Sequence, residues 1–306
     1  MLRFVAGRVV QSLICLVVVS FVVFYAARLT GDPTVLMLSE MATKEDAARL
    51  RLELGLDKPL IEQYGIFLAR AVRGDLGDST RYRRPVVDVL AARFPASIEL
   101  GCVAIVISLL IALPTGVYAA VRRGTLLDTL GRGFAVLGQS LPLFWLGLIL
   151  MLVFAVWLGL VPAAGKSSPA SYLVPALTMG WATTPAIMRL TRSAMLEVLE
   201  SEYVKLARIK GLPEWKVIWK HALKNALLPV ITFSVLLFAE MIAGAIVTET
   251  VFAWPGVGQL LIASVSARDF PMVQGTVLLL ATLFIFGNLA VDVFYAYLNP
   301  RIRYGR

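Results

Sequence analysis

The sequence predicts an all-α polytopic membrane protein with six transmembrane helices and an extracytoplasmic insert after the first. Two observations predict it. Of 306 residues, 58% are hydrophobic and only 16% charged, whereas a soluble domain carries about 25% charged residues. The uncharged residues are gathered into runs that can cross a hydrocarbon core of roughly 30 Å, and clusters of arginine and lysine separate them. A third observation limits the chemistry. The one histidine, His221, and the two cysteines, Cys15 and Cys102, cannot build a zinc site, a disulfide framework or a Ser-His-Asp triad. No catalytic, cofactor-binding or metal-binding residues are expected.

Residues 1–28 read as a short cytoplasmic N-terminus and the first crossing. Val9 to Ala27 is free of charge between Arg8 and Arg28, and at 1.5 Å per residue it spans roughly 28 Å. The apolar core of a cleaved signal peptide is only about 7–15 residues, so a retained helix is expected. Residues 29–99 differ in kind. Ten basic and eleven acidic residues lie between Leu29 and Leu100, punctuated by Pro33, Pro59, Pro85 and Pro95. The charges from Lys44 to Glu53 suggest a surface helix, and Gly74-Asp75-Leu76-Gly77 and Arg83-Arg84-Pro85 read as turns.

A core over residues 100–298 follows, made of five apolar segments. Leu100 to Val121 contains Pro114 and stops at Arg122-Arg123-Gly124. Gly133 to Val161 is long enough to span with tilt. Tyr172 to Met188 carries Pro175 and Pro185. Leu227 to Phe252 holds Glu240 and Glu249, and Met272 to Leu298 holds Asp292 near its end. Residues 299–306 form a tail. With the N-terminus inside, sixteen basic residues fall on the cytoplasmic side, and the two short outer loops carry only Lys166 and Arg268. The positive-inside rule is counted over short loops, so the long insert does not oppose this orientation. Both termini are expected in the cytoplasm.

The stretch 189–226 is a charged cytoplasmic elbow. Lys210-Gly211-Leu212-Pro213 ends one helix and starts another, with Gly at a left-handed position and Pro in the next first turn. From Trp215, apolar residues recur at Ile218, Trp219, Ala222, Leu223, Ala226 and Leu227, beside Lys216, Lys220 and Lys224. Such an elbow can rest on anionic lipid or receive a protein. Tethering on both sides disfavours a DNA reader, and no nucleic-acid partner is expected. No P-loop is present: Gly159…Gly165-Lys166-Ser167 has one residue too many and no preceding strand. ATP, if used, is bound by another chain.

Acidic residues within spanning helices are functional candidates. Glu240 lies about 13 residues, or roughly 20 Å, into the fifth helix, where it lines a path or makes a structural hydrogen bond. Glu249 falls near the outer boundary beside Trp254, Pro255 and Gly256, whose residue types break a helix and suit an outer gate. Asp292 can reach the interface or Arg301 and Arg303.

Tyr203-Val-Lys-Leu-Ala-Arg-Ile-Lys-Gly211, continued to Asn225-Ala-Leu-Leu-Pro229, resembles the cytoplasmic coupling loop of ABC importer permeases. Gly31-Asp32-Pro33, Leu54 to Leu60, Gly74 to Gly77, Arg84 to Val86, Glu249 to Gly256 and Asn299 to Arg303 add signatures in order. Together they resemble the dipeptide/oligopeptide/nickel permease family over nearly the whole chain.

The resemblance implies the type I importer fold and a machine of several parts. These are a second homologous permease subunit, two cytoplasmic ATP-binding subunits and an extracytoplasmic solute-binding protein, in a bacterial inner membrane. It implies that Tyr203, Lys205, Ala207, Arg208, Gly211, Pro213, Trp215, His221 and Asn225 belong to the ATPase-coupling loop. Glu240, Glu249, Trp254, Pro255 and Gly256 would line the path or gate. The general motif's Glu-Ala-Ala is here Lys205, Leu206 and Ala207, so the leading glutamate is absent. The expected cargo is a short peptide, with nickel-chelate, glutathione-like and opine solutes as alternatives. A proton-coupled secondary transporter using Glu240, Glu249 or Asp292 is the rival; it predicts internal repeats, which the sequence does not display.

Overall fold

The computed structural model describes residues 2–29, 57–125 and 140–298, with single positions 45, 129 and 133; the side chains at 2–4 and 294–298 are outside this description. The tail 299–306, and the surface helix expected from Lys44 apart from position 45, therefore lie outside the described residues. Among those residues the regular elements are all helical, and an isolated bridge joins Asp78 to Pro85. In order they are α1 (Leu2–Leu29), α2 (Leu60–Val72), α3 (Val86–Val121), α4 (Leu143–Trp157), α5 (Leu173–Leu199), α6 (Glu202–Ile209), α7 (Glu214–Gly244), α8 (Ile246–Val251), α9 (Val257–Ser266) and α10 (Phe270–Leu298).

Four of these are long and apolar enough to cross a membrane: Val5–Leu29, Val86–Val121, Glu214–Gly244 and Phe270–Val293. The other two expected crossings correspond to α4, which is shorter, and α5, which carries Arg189 and Arg192. Much of the uncharged run before α4, residues 134–139, is outside the described residues. The second crossing also begins earlier than charge suggested. Helix α3 is continuous from Val86 and takes in the last residues assigned to the insert, including Asp88, Arg93 and Glu99. Charge moves a segment out of hydrocarbon but does not stop a helix, and Ala, Leu, Arg and Glu all favour it.

Two compact units make up the chain, one of residues Met1–Ser97 with Pro255–Arg306, the other of Ile98–Trp254. In the first, α1 runs against α10, and Arg8 pairs with Asp292 at 3.3 Å. Asp292 thus finds its partner at the N-terminus of the chain. Among the described side chains of α1, Ser20, Phe24 and Ala27 are buried, and Tyr64 of α2 packs on Phe21 and Phe24 with its hydroxyl 2.9 Å from Ser20 Oγ. The expected turns at 74–85 form, with Gly74, Gly77 and Arg83 at positive φ. Asp269 caps α10, accepting from Met272 N–H at 3.3 Å, from Ser79 Oγ at 2.5 Å and from the Arg81 N–H at 3.2 Å.

In the second unit, α3 and α5 approach at small residues. A Cβ on Gly180 would sit 2.8 Å from the Ala104 carbonyl oxygen, and one on Gly116 would sit 2.8 Å from that of Met188. Between these contacts Thr183 and Thr184 donate to Ser108 Oγ at 3.0 and 3.1 Å. Small residues and interhelical hydroxyl bonds supply the association that hydrophobicity cannot supply within lipid.

Candidate functional site

The elbow is built as the sequence indicates, with a sharper lock. Helix α6 ends in a Schellman motif: Gly211 has φ of +73°, its N–H donates to Arg208 O at 2.9 Å, and the Leu212 N–H donates to Ala207 O at 3.3 Å. Pro213 stands just before α7 rather than within its first turn, and its carbonyl accepts from the N–H groups of Lys216 and Val217. The elbow is held on its inner side by a shared core. Val204 and Ala207 of α6 join Val217, Ala222 and Ala226 of α7, Val117 and Ala120 of α3, and Ala194 and Met195 of α5.

Two polar ties cross the bend. Arg208 Nη2 donates to Glu214 Oε1 at 2.7 Å while its Nε lies 3.3 Å from both carboxylate oxygens. That hydrogen bond and the carboxylate charge hold the guanidinium above its ordinary range. Asn225 Nδ2 donates to Tyr203 Oη at 2.8 Å and to the His221 carbonyl at 3.3 Å. Lys205 pairs with Glu202 at 2.8 Å. Of the nine coupling-loop candidates, Ala207 therefore belongs to the core, while Arg208, Gly211, Pro213, Tyr203, His221 and Asn225 set the shape.

The apolar face expected from Trp215 onward holds at Ile218, Ala222, Leu223, Ala226 and Leu227, which pack on the shared core, and is corrected at Trp215 and Trp219. Residues Val217–Ala222 form a π-helical stretch, and its wider turn carries Val217 and Ala222, five apart, to the packed side. Trp215 and Trp219 are left 62% and 38% exposed. Trp215 joins Leu206 at 53% and Ile209 at 80%, with Lys210 and Lys216 also exposed. Leu206, the middle residue of the altered motif triplet, and Ile209 are not among the coupling-loop candidates. Their signal is present: α6 buries Val204 and Ala207, so its other apolar residues must point away.

The gate candidates separate. Glu240 is exposed on α7, whereas Glu249 of α8 and Trp254 are fully buried. After α8, Ala253 takes φ of +46° and the Trp254 N–H donates to Glu249 O at 2.8 Å. Pro255 and Gly256 fall in the other compact unit, where Gly256 precedes α9. Sequence reasoning missed a cluster around Trp254. Lys166 pairs with Glu99, whose Oε2 also accepts from Tyr172 Oη at 2.5 Å. The Lys166 ammonium stands 5.6 Å from the Tyr172 ring and 6.0 Å from that of Trp254, and those rings meet edge to face at 4.6 Å. The bonded carboxylate holds the ammonium above its usual range. Glu99 and Lys166 are 67 residues apart, beyond any local pattern.

The family model for the binding-protein-dependent transport system inner membrane component matches residues 112–304, and its N-terminal counterpart matches residues 1–101. The chain belongs to that family. It is 38% identical over 339 residues to the dipeptide transport system permease protein DppB of Escherichia coli (strain K12), covering 99% of both chains. It is 41% identical over 305 residues to the glutathione transport system permease protein GsiC of the same strain, covering 99% of this chain and all of that one, 100%. Among solved structures, a chain of the inward-facing MetNI methionine ABC transporter superposes with a TM-score of 0.57 at 18% identity. It covers 69% of this chain and 96% of that one. The ABC importer permease resemblance read from the motifs is thus confirmed at the level of family and fold, and the chain is a multi-pass membrane protein.

Proposed function

We propose that this chain is the permease subunit of an ATP-driven importer of short peptides, with α6 and the 210–216 bend as the surface that receives a cytoplasmic ATPase. Two such ATPases, a second permease subunit and an extracytoplasmic solute-binding protein would complete the machine. ATP is bound by the partners, and both termini are cytoplasmic. The exposed apolar group Leu206, Ile209 and Trp215 on a locked elbow carries this reading. Three large apolar side chains left exposed within ten residues of a charged elbow suit a protein contact. The two relatives named above are a dipeptide and a glutathione permease, and both cargoes are peptidic, which supports a short peptide here.

The lock explains how a push would travel. The shared core joins α6 to the ends of α3 and α5 and to the start of α7. A displacement of α6 is therefore passed on as a rigid-body motion of those helices rather than absorbed at the bend. In proteoliposomes holding the assembled transporter, loaded binding protein should stimulate ATP hydrolysis, and Ile209→Asp should abolish most of that stimulation while leaving assembly of the permease pair intact. Undiminished stimulation in Ile209→Asp would overturn the assignment of this surface.

A further inference from the structure

We propose that the cavity bounded by α1, α9 and the start of α10 binds one acyl chain of an anionic phospholipid, whose phosphate is held by Arg268. The cavity measures about 500 Å³, within the roughly 300–1,000 Å³ of ligand sites. Its walls are apolar, formed by residues such as Val22, Ala26, Val265, Val273 and Val277, and Arg268 is its one charged lining residue. It lies wholly within one compact unit. An apolar cavity of this size has no polar partners for water, and in a bilayer the adjoining solvent is hydrocarbon.

The backbone at Arg268 supports a purpose for its side chain. Helix α9 ends in a Schellman motif: the Arg268 N–H donates to Val265 O at 3.0 Å and the Asp269 N–H to Ser264 O at 2.9 Å. The left-handed position of that motif usually takes glycine, yet here it is Arg268 at φ +53°. An arginine tolerated where glycine would be relaxed points to a use. The neighbouring Asp269 does not neutralise it, because that carboxylate is buried and bonded to Ser79, Arg81 and Met272. Among the described residues the exposed Arg268 guanidinium has no ion-pair partner. A guanidinium fork matches phosphate oxygens bidentately, and the net charge of the headgroup selects anionic over zwitterionic lipid.

The test uses the full chain assembled with its co-expressed partner subunits, delipidated in detergent and titrated with phosphatidylglycerol or phosphatidylcholine, with bound lipid counted by native mass spectrometry. The wild type should retain phosphatidylglycerol in preference to phosphatidylcholine. Arg268→Gln should lower phosphatidylglycerol retention roughly fivefold, and Arg268→Lys should keep most of it. Ala26→Phe, which fills the cavity, should lose both lipids; should that variant fail to assemble, the Gln and Lys pair still decides. Equal retention of the two lipids, or of phosphatidylglycerol by wild type and Arg268→Gln, overturns the proposal. Lipid bound by the isolated chain but excluded from the assembly also overturns it, since the cavity would then be covered by the second permease.

Discussion

Gly211 and Gly116 are both needed as glycines, for different physical reasons. At Gly211 a Cβ would meet open space, but φ is +73°, so alanine costs only the left-handed strain of about 1–2 kcal/mol. At Gly116 the backbone is ordinary, but a Cβ would lie 2.7 Å from Thr191 Cβ and 2.8 Å from the Met188 carbonyl. A carbonyl in a packed helix cannot swing aside, so overpacking there costs about 1–3 kcal/mol and separates α3 from α5. Melting of the purified chain in detergent should rank Gly116→Ala below Gly211→Ala, and both below wild type. The reverse order would mean that the α3–α5 spacing yields. The sequence displayed the first glycine through its neighbours Leu212 and Pro213, since a turn is local. It could not display the second, because close approach of two helices is a tertiary fact about residues some distance apart.

Within the elbow, the sequence signalled where the helices break but not which way their faces turn. A strict 3.6-residue period puts Trp215 and Trp219 inward; with the π-helical stretch at Val217–Ala222, Trp215 is left exposed and Trp219 half-exposed against the edge of Tyr118. Arg208 shows the same limit. Its basic charge suggests a contact with the motor, yet the structure spends it on Glu214 across the bend. Both side chains are substantially exposed, so the pair adds only about 0–1 kcal/mol to stability, and its value lies in the angle it holds. In the reconstituted transporter, Arg208→Glu should lower stimulated ATP hydrolysis by placing two carboxylates together. The swap Arg208→Glu with Glu214→Arg should recover most of the loss. Failure of the swap to recover would assign Arg208 a direct contact with the ATPase instead of a bond within the elbow.

Across the whole molecule, the membrane-spanning class and the family motifs were legible because lipid imposes long apolar runs and because turns such as 74–77 are written in local residues. Long-range pairings, Arg8 with Asp292 and Glu99 with Lys166, were not legible, since each joins residues far apart in the chain. The proposed orientation rests on the distribution of arginine and lysine, and it can be tested with the chain's own cysteine economy. Cys15 and Cys102 lie in α1 and α3 and can be replaced by alanine, giving a background for single reporters. Ala164 and Lys216 are both exposed, one in the loop after α4 and the other in the elbow. With cytoplasmic termini, a membrane-impermeant maleimide should label Ala164→Cys in intact spheroplasts. It should label Lys216→Cys only after the membrane is permeabilised. The opposite pattern would place the elbow outside, where no ATPase could reach it, and would overturn the orientation and the coupling role together. Labelling of both sites in intact cells would likewise contradict a single orientation, since sixteen basic residues on one side bias insertion strongly one way.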